Sequence, residues 1–167
     1  HAPIRVHVYG SLDSRATAAW FRGELPGIVN EHIEHSEVQL TYRDVPRSDR
    51  ALVAAVAARC GNYATPNDYY QALAELYDRQ RQWGAATDEG QFIDLLRTAL
   101  PESARPEIAT FEDCLGSRQA AANIAFQGQL VRIQYGVTND MPVFLINGER
   151  VPELTSETIN QALEKRD

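Results

Sequence analysis

The sequence predicts an α/β protein in which a β-α-β opening and an α-β-β-α close are separated by an all-helical block. Two short alternating segments near the start, Ile4 to Tyr9 and Val38 to Tyr42, predict the opening. A strand-and-turn signal near the end, Val143-Phe144-Leu145-Ile146-Asn147-Gly148, predicts the close. Between residues 48 and 135 no segment alternates convincingly, and helix starts and stops recur instead. At 167 residues and 44% hydrophobic, the chain can bury one proper core and is too short for two ordinary domains. A single domain over 1–167 is expected, with 1–61 and 117–167 forming the sheet-containing core and 62–116 a helical insertion.

The elements follow in order. Arg5-Val6-His7-Val8-Tyr9, preceded by Ile4, alternates polar with apolar and runs into Gly10-Ser11, a strand entering a turn. Asp13-Ser14 supplies a helix N-cap, and Ala16, Trp20, Phe21, Ile28 and Val29 recur near helical spacing, although Pro26-Gly27 should kink or divide that helix. Val38-Gln39-Leu40-Thr41-Tyr42 alternates again and stops at Asp44-Val45-Pro46. An alanine-rich helix over 48–59 ends at Gly61. Helices follow at about 68–83, 88–100 and 106–115, separated by Gly84, by Pro101 and by Arg105-Pro106. A long helix over 117–135 stops at Gly136, and Arg150-Val151 can pair back on the last strand across the Asn147-Gly148 turn. Thr155-Ser156-Glu157 opens a final amphipathic helix with Ile159 and Leu163 on one face.

Composition excludes several functions. The formal charge is −7, and the Arg and Lys residues are scattered rather than clustered, so the local cation surplus that phosphate contacts need is missing and a nucleic-acid partner is not expected. No run approaches the roughly eighteen apolar residues of a membrane span. His1-Ala2-Pro3 leads straight into the first strand, so any export signal is expected to have been removed or never to have been present. Cys60 and Cys114 are too few for a disulfide scaffold and too far apart for a local zinc knuckle, so they make one bridge or none.

Four local segments, in the right order, resemble the DsbA-like branch of the thioredoxin superfamily. Val8-Tyr9-Gly10-Ser11-Leu12-Asp13 looks like the lead into that family's Cys-Pro-x-Cys motif, with Trp20-Phe21 where aromatic residues follow. Leu40-Thr41-Tyr42-Arg43-Asp44-Val45-Pro46 looks like its strand ending in Arg-Asp-x-Pro. Phe111-Glu112-Asp113-Cys114-Leu115-Gly116-Ser117 is similar to the segment closing the helical insertion. Gly136-Val137, then Met141-Pro142-Val143-Phe144-Leu145-Ile146-Asn147-Gly148, looks like the loop bearing a cis-proline and the strand after it. The resemblance implies a thioredoxin-like fold (β-α-β … α-β-β-α) with an all-helical insertion. It also shows two departures. The family's two cysteines fall on Ser14 and Thr17, with Arg15 and Ala16 between them, and the loop Thr138-Asn139-Asp140-Met141 is one residue longer than usual.

Thiol-disulfide exchange needs a thiolate to attack sulfur and a second thiol to resolve the mixed disulfide. Ser14 and Thr17 can do neither. A helix N-terminal field of about 1 kcal/mol moves a pKa by less than one unit, far too little to make an alkoxide. Ser14 reads first as an N-cap. The alternative is a ligand contact, because the kappa-class glutathione transferases and chromene-carboxylate isomerases, which resemble this fold, carry serine at the first motif position; their Ser-Pro-Tyr context is absent here. Engineered trapping substitutions usually keep the residues between the cysteines, and Arg15 stands where the family mostly has proline, so natural degeneration is the simpler account.

Other candidates carry two readings each. Cys60 and Cys114 stand where the helical insertion joins the core; a bridge there would close a long loop, worth about 4 kcal/mol if unstrained, and the alternative is two separate buried cysteines. A redox role for that pair has no CxxC spacing behind it. Pro142, if cis, sets the backbone of Met141 facing the first helix, the edge that in the family receives an extended peptide; otherwise it only preserves the fold. His32 and His35 would share a helix face at metal-ligand spacing, but a third ligand is lacking and no metal is expected. Tyr63, Tyr69, Tyr70, Tyr77 and Trp83 read as core of the helical block. The sequence thus predicts a non-redox, DsbA-like module, extracytoplasmic by family habit, that binds a polypeptide through Ser14, Thr17, Met141 and Pro142 and needs no cofactor. A glutathione-dependent enzyme using Ser14 is the alternative, and an oxidoreductase with atypical residues the third reading.

Overall fold

The computed structural model describes residues 2–137 and 139–166, so His1 and Thr138, both used in the sequence reading, and Asp167 lie outside the described residues. In chain order the elements are β1 (Ile4–Gly10), α1 (Arg15–Gly23), α2 (Leu25–Ile28), a π turn (Val29–Ile33), β2 (Val38–Asp44), α3 (Asp49–Ala58), α4 (Pro66–Asp78), α5 (Gln80–Ala85), α6 (Glu89–Thr98), a 3-10 turn (Glu102–Ala104), α7 (Ile108–Leu115), α8 (Arg118–Tyr135), β3 (Val143–Ile146), β4 (Glu149–Val151) and α9 (Ser156–Arg166). The chain packs as two compact units, one made of 1–10, 14–43 and 139–167, the other of 11–13 and 44–138.

The first unit holds a four-stranded sheet in the order β2-β1-β3-β4, with β3 antiparallel to both of its neighbours. Alternation in β1 does what its period requires. Ile4, Val6 and Val8 are buried while Arg5 is exposed. Asn147 and Gly148 both have positive φ, 50° and 85°, the geometry of a two-residue hairpin turn whose twist matches the strands. Asn147 also accepts the Arg5 N–H on its Oδ1 and donates its own N–H to the Arg5 carbonyl, tying the hairpin to β1. On α1, Trp20 and Phe21 are buried; the Trp20 indole N–H donates to Leu154 O at 2.8 Å and its ring meets Phe144, while Phe21 meets Tyr42 edge-on. Thr155 caps α9, its hydroxyl accepting from Thr158 N and its N–H donating to Thr158 Oγ1.

Pro26 sits in the first turn of α2, where its missing N–H costs nothing, so the first helix divides as the sequence predicts. The continuation into a π turn is not legible in the sequence. It ends at Ile33, so His32 and His35 do not share a helix face as expected: His32 is buried, its Nδ1 3.4 Å from Glu37 Oε2, and His35 is exposed beyond the helix.

The second unit is helical. α3, capped by Ser48, buries Ala51 and Ala54 to Ala58 and packs against α4, α6, α7 and α8. Small side chains let four helices approach one. Thr65 and Asp68 form a reciprocal capping box on α4, Asp88 caps α6, Ser117 caps α8, and Gly136 ends α8 at φ 63°. The single helix expected over 68–83 is two, broken at Arg79, whose guanidinium donates to Thr98 Oγ1; Trp83, buried on α5, donates its indole N–H to Leu76 O. In this unit α3 and α8 pack with the helices between them. In the same unit the Asp13 carboxylate accepts from Ser11, from Ser48 Oγ at 2.8 Å and from Arg47 Nε at 3.1 Å. Burial pushes the Asp13 carboxyl up, but these hydrogen bonds and the Arg47 charge outweigh it and hold the group below the usual carboxylate range.

Candidate functional site

All four motif positions lie at the start of α1 in the first unit, which also contains Met141 and Pro142. Ser14 has extended backbone, φ −83° and ψ 120°, so its side chain folds back over the first turn and Oγ accepts the Thr17 N–H at 3.1 Å. The same hydroxyl donates to the Met141 carbonyl at 3.0 Å. The Met141-Pro142 peptide is cis, as the loop's resemblance implies. Sequence alone brings Ser14 and Met141 together only through the family; here one hydroxyl links the helix start to the proline loop.

Both lone-pair and proton sides of Ser14 are therefore engaged. Ser14 is 2% exposed, Thr17 0% and Met141 5%, so a ligand approaching from solvent meets no side chain of the three directly. It meets Arg15 and Ala16, which are exposed, with half-buried Pro142 and exposed Asn139 and Asp140. Arg15 was not expected to matter. The signal that finds it is positional, since the residue after a buried N-cap points away from what the cap is buried against.

Nucleophilic use of Ser14 would require a base to take its proton. That proton is donated to a carbonyl oxygen, which accepts the hydrogen bond but is too weak a base to remove the proton. Holding a thiolate with Ser14 would require the same proton to be turned outward, breaking the bond to Met141. His7 on β1 is kept below the usual histidine range, by burial first and then by Arg43 and Arg5. Thr17 Oγ1 is buried and has no hydrogen-bond partner among the described residues, which costs about 1–3 kcal/mol for a hydroxyl taken out of water.

The cysteines are in the second unit. Cys60 and Cys114 are joined, with Cα atoms 5.9 Å apart, across a sequence separation of 54. No free cysteine remains. Tyr77 and Trp83 are core residues of that unit, while Tyr63, Tyr69 and Tyr70 form a half-buried chain of edge-to-face rings. Among the described residues no group of three or more His, Cys, Asp or Glu side chains is placed to hold a metal ion, and no helix is long and apolar enough to cross a membrane.

A sheet of this order with a helix starting beside a cis-proline loop defines a thioredoxin-fold protein, and comparison with known proteins agrees. The model of the thioredoxin family matches residues 1–165. The chain belongs to that family. Wolbachia pipientis α-DsbA1 superposes with a TM-score of 0.79 at 21% identity, over 98% of this chain and 85% of that one. BdbD of Bacillus subtilis gives 0.76 at 14%, over 99% and 87%. A protein-disulfide isomerase of Novosphingobium aromaticivorans gives 0.74 at 16%, over 99% and 92%. Comparison with curated proteins found no match.

Proposed function

We propose that this chain is a non-redox member of the DsbA-like family that binds an extended polypeptide on the surface formed by Arg15, Ala16 and Pro142. One observation carries the reading: hydroxyl residues stand at both motif positions while the chain's two cysteine sulfurs are spent on the Cys60–Cys114 link. Without a thiol the site cannot form a mixed disulfide. Ser14 then acts from beneath, fixing the loop rather than touching the ligand, and Thr17 contributes its backbone N–H to the Ser14 hydroxyl. Met141 contributes its backbone, because a carbonyl has two lone pairs and Ser14 occupies one, leaving the other for a β-type hydrogen bond. That a structurally similar protein is a protein-disulfide isomerase makes polypeptide the natural occupant of an inherited groove.

In this reading residues 62–116 are the family's helical insertion and the protein works outside the cytoplasm, where a structural disulfide persists. A glutathione-dependent enzyme has less behind it, since the Ser14 proton is committed to Met141. The test is anisotropy with a labelled, reduced and alkylated unfolded polypeptide. Saturable binding is expected that is indifferent to reductant and about tenfold weaker in an Arg15→Glu/Asp140→Arg variant. No binding, or binding untouched by that variant, contradicts the proposal. Glutathione should leave the melting temperature unchanged, and a saturable rise would favour the enzyme.

A further inference from the structure

The long helix α8 has one face inside its unit and another with no cover. Ile124, Gly128 and Val131 are its buried residues, a narrow seam at i, i+4 and i+7. At 100° per residue, Ala122, Phe126, Leu130 and Ile133 fall on the side of the helix opposite that seam. Phe126 is 60% exposed, Leu130 44% and Ile133 70%, three of the four large apolar side chains that the chain leaves most exposed. The residues flanking this stripe are the amides Gln119, Asn123, Gln127, Gln129 and Gln134, with exposed Arg118 beside them in the first turn. Over its 18 residues α8 carries no Asp or Glu and two cations, Arg118 and Arg132. Exposed helix surface ordinarily carries charge of both signs, whereas the centre of a protein interface is depleted of charge and enriched in aromatic residues.

We infer that this face of α8 is a self-association surface, on which a second copy of the chain packs its own α8 antiparallel about a twofold axis. Charge selects that occupant. The chain carries −7, so two copies repel wherever each presents its share of carboxylates, and α8 is a surface that presents none. Amide side chains select it as well. A glutamine both donates and accepts, so like residues can pair across a twofold, which carboxylates or ammonium groups cannot do. An axis passing near Gly128 sets Phe126 of one copy against Leu130 of the other. Arg132 is held to the Pro46 carbonyl on the flank of the buried seam, so like charges do not meet across the axis. A helix of this length is about 27 Å long, and one such strip falls short of the roughly 800 Å² per partner of a standard interface. The dimer is therefore concentration-dependent rather than permanent.

Sedimentation equilibrium of the full chain over a wide concentration range tests this. A mass rising from monomer to dimer is expected. Phe126→Glu and Ile133→Glu should each weaken association about a hundredfold, because a twofold axis counts every substitution twice. Their circular dichroism and melting temperatures should match the parent, since both side chains are exposed, and the milder Ile133→Gln should shift association in the same direction. A chain that stays monomeric at every concentration, as it would if lipid or an unrelated protein covered the stripe, overturns the inference. So does a dimer that survives all three substitutions.

Discussion

The start of α1 and the joint between α3 and α7 use their chemistry in opposite ways. At the first, the motif positions hold hydroxyls, one of which caps the helix and grips the Met141 carbonyl. At the second, two sulfurs are bonded to each other and close a long loop within the helical unit. Sulfur is absent where a helix N-terminus would make it reactive and present where it can only hold. Under the proposed non-redox reading, the hydrogen bonds of a single hydroxyl hold the start of α1 against the proline loop at a position that carries no thiol.

The largest effect expected is at the staple. Replacing both Cys60 and Cys114 by Ala should cost about 4 kcal/mol of unfolding free energy, read from urea denaturation, while polypeptide binding in the other unit persists. A loss of binding in step with stability would make the disulfide part of the binding site's support. Ser14→Ala should cost about 2 kcal/mol, part from the lost cap and part from the Met141 carbonyl left without its donor, and Ser14→Thr should restore most of it. A catalytic Ser14 would instead lose activity at unchanged stability. Thr17→Val should gain about 1 kcal/mol, since it removes a buried hydroxyl that has no partner among the described residues. A loss there would mean that the hydroxyl is satisfied in solution.

The smallest effect is acid sensitivity. Asp13 has a folded pKa below its ordinary 3.8, so the unfolded chain takes up the proton first as pH falls. Its contribution is fully present above that ordinary value and is lost as pH drops through the lower folded value. Asp13→Asn should flatten this part of the acid unfolding curve and leave stability at neutral pH to change through its hydrogen bonds alone.

What the sequence made legible was local. Ser14, Ser48, Asp88 and Ser117 announce their helices because a short polar side chain can reach the orphan N–H groups of a first turn. Gly136 and Asn147-Gly148 announce a stop and a hairpin because each needs a positive φ. The break at Arg79 has no glycine or proline to mark it, and follows from bonds to Thr98 and from the burial of Trp83. The burial of Ser14 was also hidden. It depends on Met141, 127 residues along the chain, and on a proline loop whose isomer no local pattern decides. Ser14 and Thr17 are the buried members of the motif set, and Arg15 and Ala16 the exposed ones.

The direct test is turnover of an insulin disulfide with dithiothreitol as electron donor, for the parent chain beside Ser14→Cys/Thr17→Cys. The account predicts a background rate for the parent and a measurable one only when thiols are returned to the start of α1. A parent chain that reduces insulin above background, and stops doing so as Ser14→Ala, would contradict it.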